Sequence, residues 1–99
     1  MIELTWADVD DRLEAMKLTG LKVWGIPRGG AITAGLARRH GAVVVGTPQE
    51  AEFALDDVID SGVTAEAVKA QYGLQTLAMV DKISEGIDSW VHFPWEEPP

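Results

Sequence analysis

Trp6, Val9, Leu13 and Met16 recur at helical spacing, with Asp8, Asp10, Asp11, Arg12 and Glu14 between them. Thr5 followed three residues later by Asp8 has the form of a capping box, so a helix is expected to open at Trp6 and to stop at Thr19-Gly20. On this pattern Trp6 belongs to the core. Leu21 to Ile26 reads as a buried strand and Pro27-Arg28-Gly29-Gly30 as a tight turn. Ala31 to His40 repeats the helical pattern, with Arg38, Arg39 and His40 near the negative end of the helix dipole and Gly41 placed to close it. Ala42 to Val45 and Glu52 to Leu55 read as short strands, Asp56 to Gly62 as a loop, and Thr64 to Tyr72 as a helix ended by Gly73. Gln75 to Val80 is a fourth strand and Ser89 to His92 a fifth, after which Pro94, Pro98 and Pro99 make the tail irregular.

Strands alternating with helices imply right-handed crossovers and a parallel sheet. The expected fold is therefore α/β: three layers, with a mainly parallel five-stranded sheet and helices on both faces. At 99 residues the chain is one domain, residues 1–99. Sixteen acidic against eight basic side chains give a net charge of −8, which argues against a nucleic-acid partner or a polybasic membrane patch. The absence of cysteine removes disulfides, thiolate metal sites and thiol nucleophiles. No apolar run approaches a membrane span, and the start lacks the form of a secretory signal, so a cytoplasmic protein is expected.

Ligands of open α/β sheets bind beyond the carboxyl ends of the strands. Of the basic residues, only Arg28 and Lys82 fall there. The segment Asp60-Ser61-Gly62-Val63-Thr64 leads straight into a helix, where free backbone N–H groups and the helix dipole favour a phosphate. Gly62 permits the turn and the close approach of an anion, while Ser61 and Thr64 add hydroxyl donors. Asp56 and Asp57 would repel a bare phosphate but suit a vicinal diol or a hard cation such as Mg²⁺. A ribose 5-phosphate carried with a metal satisfies all of these at once. An ordinary acidic loop with a helix cap is the plainer alternative.

Phe53-Ala54-Leu55-Asp56-Asp57-Val58-Ile59-Asp60-Ser61-Gly62-Val63-Thr64 resembles the phosphoribosyl-pyrophosphate signature of the type I phosphoribosyltransferases. Val23 to Gly30 resembles the pyrophosphate-binding loop of the same family, in the right order along the chain. Leu4-Thr5-Trp6, Lys82, and Asp88-Ser89-Trp90-Val91-His92-Phe93-Pro94-Trp95 are similar to the bacterial xanthine–guanine subgroup. The resemblance implies a minimal fold of that family and Mg²⁺-dependent transfer between phosphoribosyl pyrophosphate and a 6-oxopurine. It implies that Asp56 and Asp57 hold the ribose hydroxyls and the metal, and that Asp60 lies near the purine N7 as a catalytic acid/base. The backbone of Asp60, Ser61, Gly62, Val63 and Thr64 would cradle the 5-phosphate. Arg28 and Gly29 would hold pyrophosphate through a peptide bond that can be cis. Lys82 would donate to the 6-oxo group, Trp90 would stack on the base, and the Val91 backbone would read its edge. A homodimer is expected from the family and the small core.

The chain departs from the family in length. Members usually carry a long loop between the second and third strands; here only Gly46 to Glu52 stand between them, and the hood over the base is reduced to little more than Ile87 to Pro99. A slow open enzyme, a site covered by a second subunit, a non-catalytic nucleotide- or phosphoribosyl-pyrophosphate-binding module, and transfer to a non-purine base all remain open at this point. Single residues also have plainer readings. Trp90 and Trp95 could be core or dimer-contact aromatics, Lys82 an exposed lysine after a strand, and Arg28 a cap on a neighbouring helix. His40 reads as a helix-end residue and His92 as structural, with no partner at zinc spacing.

Overall fold

The computed structural model describes residues 1–98; Pro99, counted above in the irregular tail and the hood, lies outside them. In chain order the elements are β1 (Ile2–Glu3), α1 (Trp6–Ala15), β2 (Lys22–Gly25), α2 (Gly29–Ala37), β3 (Val43–Val44), β4 (Phe53–Ile59), α3 (Val63–Tyr72), β5 (Thr76–Asp81), α4 (Lys82–Glu85) and β6 (Val91–His92). Single 3₁₀ turns at Arg38–His40 and Pro48–Glu50 complete the set.

The central sheet is parallel in the order β3-β2-β4-β5, with Val23 opposite Phe53 and Leu55 opposite Leu77. Neighbouring strand residues face opposite sides, and the two cores follow that alternation. Val23 and Leu55 join Val9, Leu13, Ala34 and Phe93 in the larger core beneath α1 and α2. Ala54 joins Ile26, Val68 and Leu74 beneath α3, where Trp24 meets Tyr72 edge-on at 5.7 Å. Helices therefore cover both faces, as expected.

The single five-stranded sheet does not form. The fifth strand, reduced to Val91–His92, pairs in parallel with β1, a strand that the pattern of the sequence does not predict. Two residues are too few to show a period, so the partner of β6 is set by tertiary packing: Val91 and Phe93 are buried in the same core as Leu4. The third expected strand is longer than its apolar run. It continues through Asp56, Asp57, Val58 and Ile59, and the ladder with β5 holds as far as Ile59 opposite Asp81. The two aspartates are disfavoured in strands in general; here each carboxylate accepts a local backbone N–H, Asp57 N donating to Asp56 Oδ1 at 2.9 Å and Val58 N to Asp57 Oδ1 at 2.8 Å.

The capping box of α1 is formed in both directions, Thr5 N donating to Asp8 Oδ2 at 2.8 Å and Asp8 N to Thr5 Oγ1 at 3.1 Å. These bonds hold the Asp8 carboxyl below its usual range. α1 closes at Ala15, earlier than expected, because Lys17 takes a left-handed conformation (φ 52°) and the following Leu18 is buried. Trp6 is not a core residue. At the first position of α1 it is 53% exposed and leans on Trp95 at 5.9 Å, and Trp95 stacks on buried Phe93 at 4.7 Å.

α2 starts two residues before the expected Ala31, and its first turn sits directly on the sheet. A Cβ at Gly25 would meet the Gly30 carbonyl oxygen, and one at Gly30 would meet that of Leu55. Only glycine at both places lets the helix approach β2 and β4 this closely. At its far end, Gly41 closes the last turn in the left-handed conformation (φ 82°), as its position suggests.

Candidate functional site at the carboxyl ends of the strands

Three segments converge where β2, β4 and β5 end. The first is the connection from β2 to α2. Its one cis peptide links Pro27 to Arg28, one bond earlier than the Arg28-Gly29 bond expected. Among the described residues the Arg28 side chain makes no hydrogen bond or ion pair, so it does not cap a neighbouring helix. Gly29 lies against the Asp57 carboxylate so closely that a Cβ there would collide with it. The cation-bearing loop and the acidic strand end thus touch through a glycine.

The second segment is the turn from β4 into α3. Gly62 caps α3 with φ 88° and offers it no side-chain hydrogen bond. Glu66 N donates to Gly62 O at 2.9 Å, which leaves the N–H groups of Val63, Thr64 and Ala65 without a carbonyl partner inside the helix. Only Ser61 Oγ reaches one of them, at 3.4 Å from Val63 N. These groups line a small concavity of about 90 Å³ with Asp56, Val58, Asp60 and Ser61.

The third segment is α4 with β6. Lys82 opens α4, and its side chain is only 13% exposed, not the open post-strand lysine of the plainer reading. Its Nζ lies 3.3 Å from Asp60 Oδ1. A second cleft of about 260 Å³ is lined by Asp57, Asp60, Lys82, Trp90, Val91 and Glu96. Trp90 is 67% exposed, so its ring is available on the cleft wall and is not a core aromatic. β1 bonds the carbonyls flanking Val91: Ile2 N donates to Trp90 O at 2.8 Å and Leu4 N to His92 O at 2.9 Å. In a parallel ladder this leaves the N–H and C=O of Val91 on the edge away from β1.

Successive positions of β4 serve different compartments. Asp56 lines the small cradle and Asp57 the larger cleft, while Val58 and Asp60 line both. Asp60 therefore stands at the junction of the small concavity at the start of α3 and the larger cleft. Burial, with the Asp57 carboxyl a smaller contributor, pushes the Asp56 carboxyl up to about 7, so near neutrality it exchanges a proton readily. Among the described residues no group of three or more His, Asp or Glu side chains could enclose a metal ion. Asp56 and Asp57 alone suit a cation that brings further oxygen ligands with its substrate.

A wider groove of about 950 Å³ lies elsewhere, between α1 and the end of α2, where Trp6, Leu13 and Leu36 meet Glu14, Arg39 and His40. It includes none of the residues at the carboxyl ends of β2, β4 and β5. His40 is structural there, its ring nitrogens 2.8 Å from Asp10 and 2.9 Å from Glu14. His92 is occupied with the Glu97 carbonyl at 2.7 Å. The residues that sequence reasoning missed are Glu96, a third carboxylate of the larger cleft, and Glu85, which holds α4 from behind. Neither stands in a recognisable spacing.

Among the described residues no helix is long and apolar enough to cross a membrane. No family model matches the chain, and no curated protein matches it. Among solved structures it is similar to the purine phosphoribosyltransferase from Pyrococcus horikoshii Ot3, with 20% sequence identity and a TM-score of 0.66. The match covers 99% of this chain and 95% of that one. At that identity the likeness is one of fold: this chain has the α/β architecture of a purine phosphoribosyltransferase.

Proposed function

We infer that the chain binds phosphoribosyl pyrophosphate and transfers its phosphoribosyl group to a purine-type base, with a 6-oxopurine as the favoured acceptor. The observation that carries this reading is the position of Asp60, shared by the anion cradle at the start of α3 and the cleft that holds Lys82 and Trp90. A phosphoribosyl group has its phosphate and its anomeric carbon at opposite ends of one sugar, and a site for transfer needs one compartment for each, side by side.

In this reading the amides of α3 take the 5-phosphate, and the Asp56 and Asp57 carboxylates accept from the ribose hydroxyls. Arg28 and the Gly29 backbone hold the pyrophosphate. A ring nitrogen of the base forms a bond to ribose C1 while the bond from C1 to the pyrophosphate oxygen breaks, and pyrophosphate leaves with that electron pair. Asp60 handles the proton at the purine N7, Lys82 donates to the 6-oxo group, Trp90 stacks on the ring and the free backbone edge of Val91 meets its rim. Mg²⁺ bound with pyrophosphate supplies charge neutralisation of the leaving group. Asp56 and Asp57 would hold it, and a bound cation would favour the ionised form of the Asp56 carboxyl, which burial otherwise raises to about 7. At a net charge of −8 the protein repels a polyanion at long range, so a metal and Arg28 matter more than electrostatic steering.

A second reading, a binding module without turnover, is favoured by one observation. Between β3 and β4 there is only the single 3₁₀ turn Pro48–Glu50, too short to cover a substrate and exclude water. A second copy of the chain covering the open face would remove that difficulty, and a homodimer belongs to the first reading. Pyrophosphate release from phosphoribosyl pyrophosphate with Mg²⁺, against a panel of xanthine, guanine, hypoxanthine, adenine, uracil and orotate, separates the two. Base-dependent release that Asp60→Asn abolishes is the expected result. Saturable ligand binding without release would leave the binding module standing.

A further inference from the structure

Lys82 owes its place to α4, and α4 is an unusual support. It is a single turn of four residues, none of them buried, and its one large apolar side chain, Ile83, is exposed. Apolar packing therefore does little to fix it, and polar bonds must do so. Asp81 caps the turn from within, accepting from Ile83 N at 3.1 Å and Ser84 N at 3.3 Å. Glu85, at the end of the same turn, folds back to accept from Asp81 N at 2.9 Å. These bonds fasten the turn to Asp81, the last residue of β5, which pairs with Ile59. A second tie, to α1, comes from Arg12. Its guanidinium donates to both Glu85 carboxylate oxygens, at 2.9 and 3.2 Å, and to the Met79 carbonyl of β5 at 2.9 Å. One planar side chain thus clamps the last turn of the chain's fourth helix to the strand that precedes it.

We propose that Arg12, acting through Glu85, is a positioning residue that holds Lys82 against Asp60. Arg12 lines neither the anion cradle nor the larger cleft; it reaches the site through one carboxylate and one helical turn. All three bonds leave from one nitrogen, Nη1, so a carboxylate and a carbonyl are gathered by a single charged donor. The consequence for base binding rests on the function inferred above; the hold on Lys82 does not.

Arg12→Met keeps much of the stem and removes the clamp, and Arg12→Lys keeps the charge. With the base panel, Arg12→Met is expected to raise KM for the base about threefold to tenfold, the scale of one lost charge-assisted hydrogen bond, and to leave KM for phosphoribosyl pyrophosphate within about twofold. Arg12→Lys should recover part of the loss. In a Lys82→Met background the Arg12→Met change should add less than about twofold, since the group it positions is already gone. A rise in both KM values together, or a full additional loss in the Lys82→Met background, would mean a general structural role and overturn the proposal. If the wild-type chain turns over no base at all, the functional reading fails by itself, and the hold on Lys82 is then read without substrate. The isotope-labelled ε-methylene resonance of Lys82, which lies beside Asp60, should shift in Arg12→Met. An unmoved resonance overturns the proposal.

Discussion

The two ends of the site are built in different ways. The end proposed for phosphate is made of backbone: the amides at the start of α3, and two glycines that let α2 rest on β2 and β4. It stands on the middle of the parallel sheet and on the buried side chains beneath it. The end proposed for the base is made largely of side chains, Lys82 on a one-turn helix with no buried residue and Trp90 just before a two-residue strand outside the main sheet. A phosphate is the same in every nucleotide, whereas bases differ. On the proposed function, the constant part of the ligand would meet the end built from packed backbone, and the variable part would meet exposed side chains.

That contrast can be broken by substitution, and the largest effect should come from Gly30→Ala. Its Cβ would be driven into the Leu55 carbonyl, which cannot move without moving the central strand, so a loss of roughly 3 kcal/mol or more in urea denaturation is expected. A variant as stable as wild type would show that α2 can lift off the sheet and that the phosphate end is not rigid. Asp60→Asn, at the junction, should lower kcat about a hundredfold while leaving ligand affinity nearly intact. Equal losses in turnover and affinity would remove its acid/base role. Trp90→Ala should weaken base binding by roughly 1–3 kcal/mol, the range for base–aromatic stacking. Its melting temperature should barely move, because the ring is largely exposed; a fall as large as that of Gly30→Ala would erase the distinction between the two ends.

The smallest effect belongs to the far end of α2. Both ring nitrogens of His40 face carboxylates, and the bond to Glu14 above all raises its pKa from the usual 6.5. A raised folded-state pKa contributes stability that is full below pH 6.5 and lost as pH rises through the raised value. The wild-type melting temperature should therefore drift down over that window, by a shallow slope because both carboxylates are largely exposed and screened. His40→Gln should flatten the drift, and so should high salt. A slope that survives in His40→Gln would place its origin elsewhere.

The legibility of the molecule follows the same division. The α1 cap, the closing glycines at Gly41 and Gly73, and the acidic run into the α3 start were readable because each is a local device with its residues in fixed spacing. β4 was read too short because Asp56 and Asp57 are poor strand residues; here their carboxylates accept the N–H groups of Asp57 and Val58, and the strand runs on to Ile59. The base end was readable only through resemblance. α4 and the β1–β6 pair are too short to carry a period, and the stack of Phe93, Trp95 and Trp6 joins residues at opposite ends of the chain. Trp6 satisfied the helical pattern and still lies outside the core, since the pattern fixes a face of the helix and not what will cover its first turn.

The pairing of Ile2 with Val91 also sets an order of events. β2, α2, β4 and α3 all precede β6 in the chain and can begin to organise before it is made, since domains start to fold as they are synthesised. β1 has no partner until Val91 arrives, and the closure of so long a loop is entropically the most demanding contact in the molecule. A nascent chain stalled before β6 should hold the start of α3 in place beside a cleft that still lacks the wall formed by Val91 and Phe93.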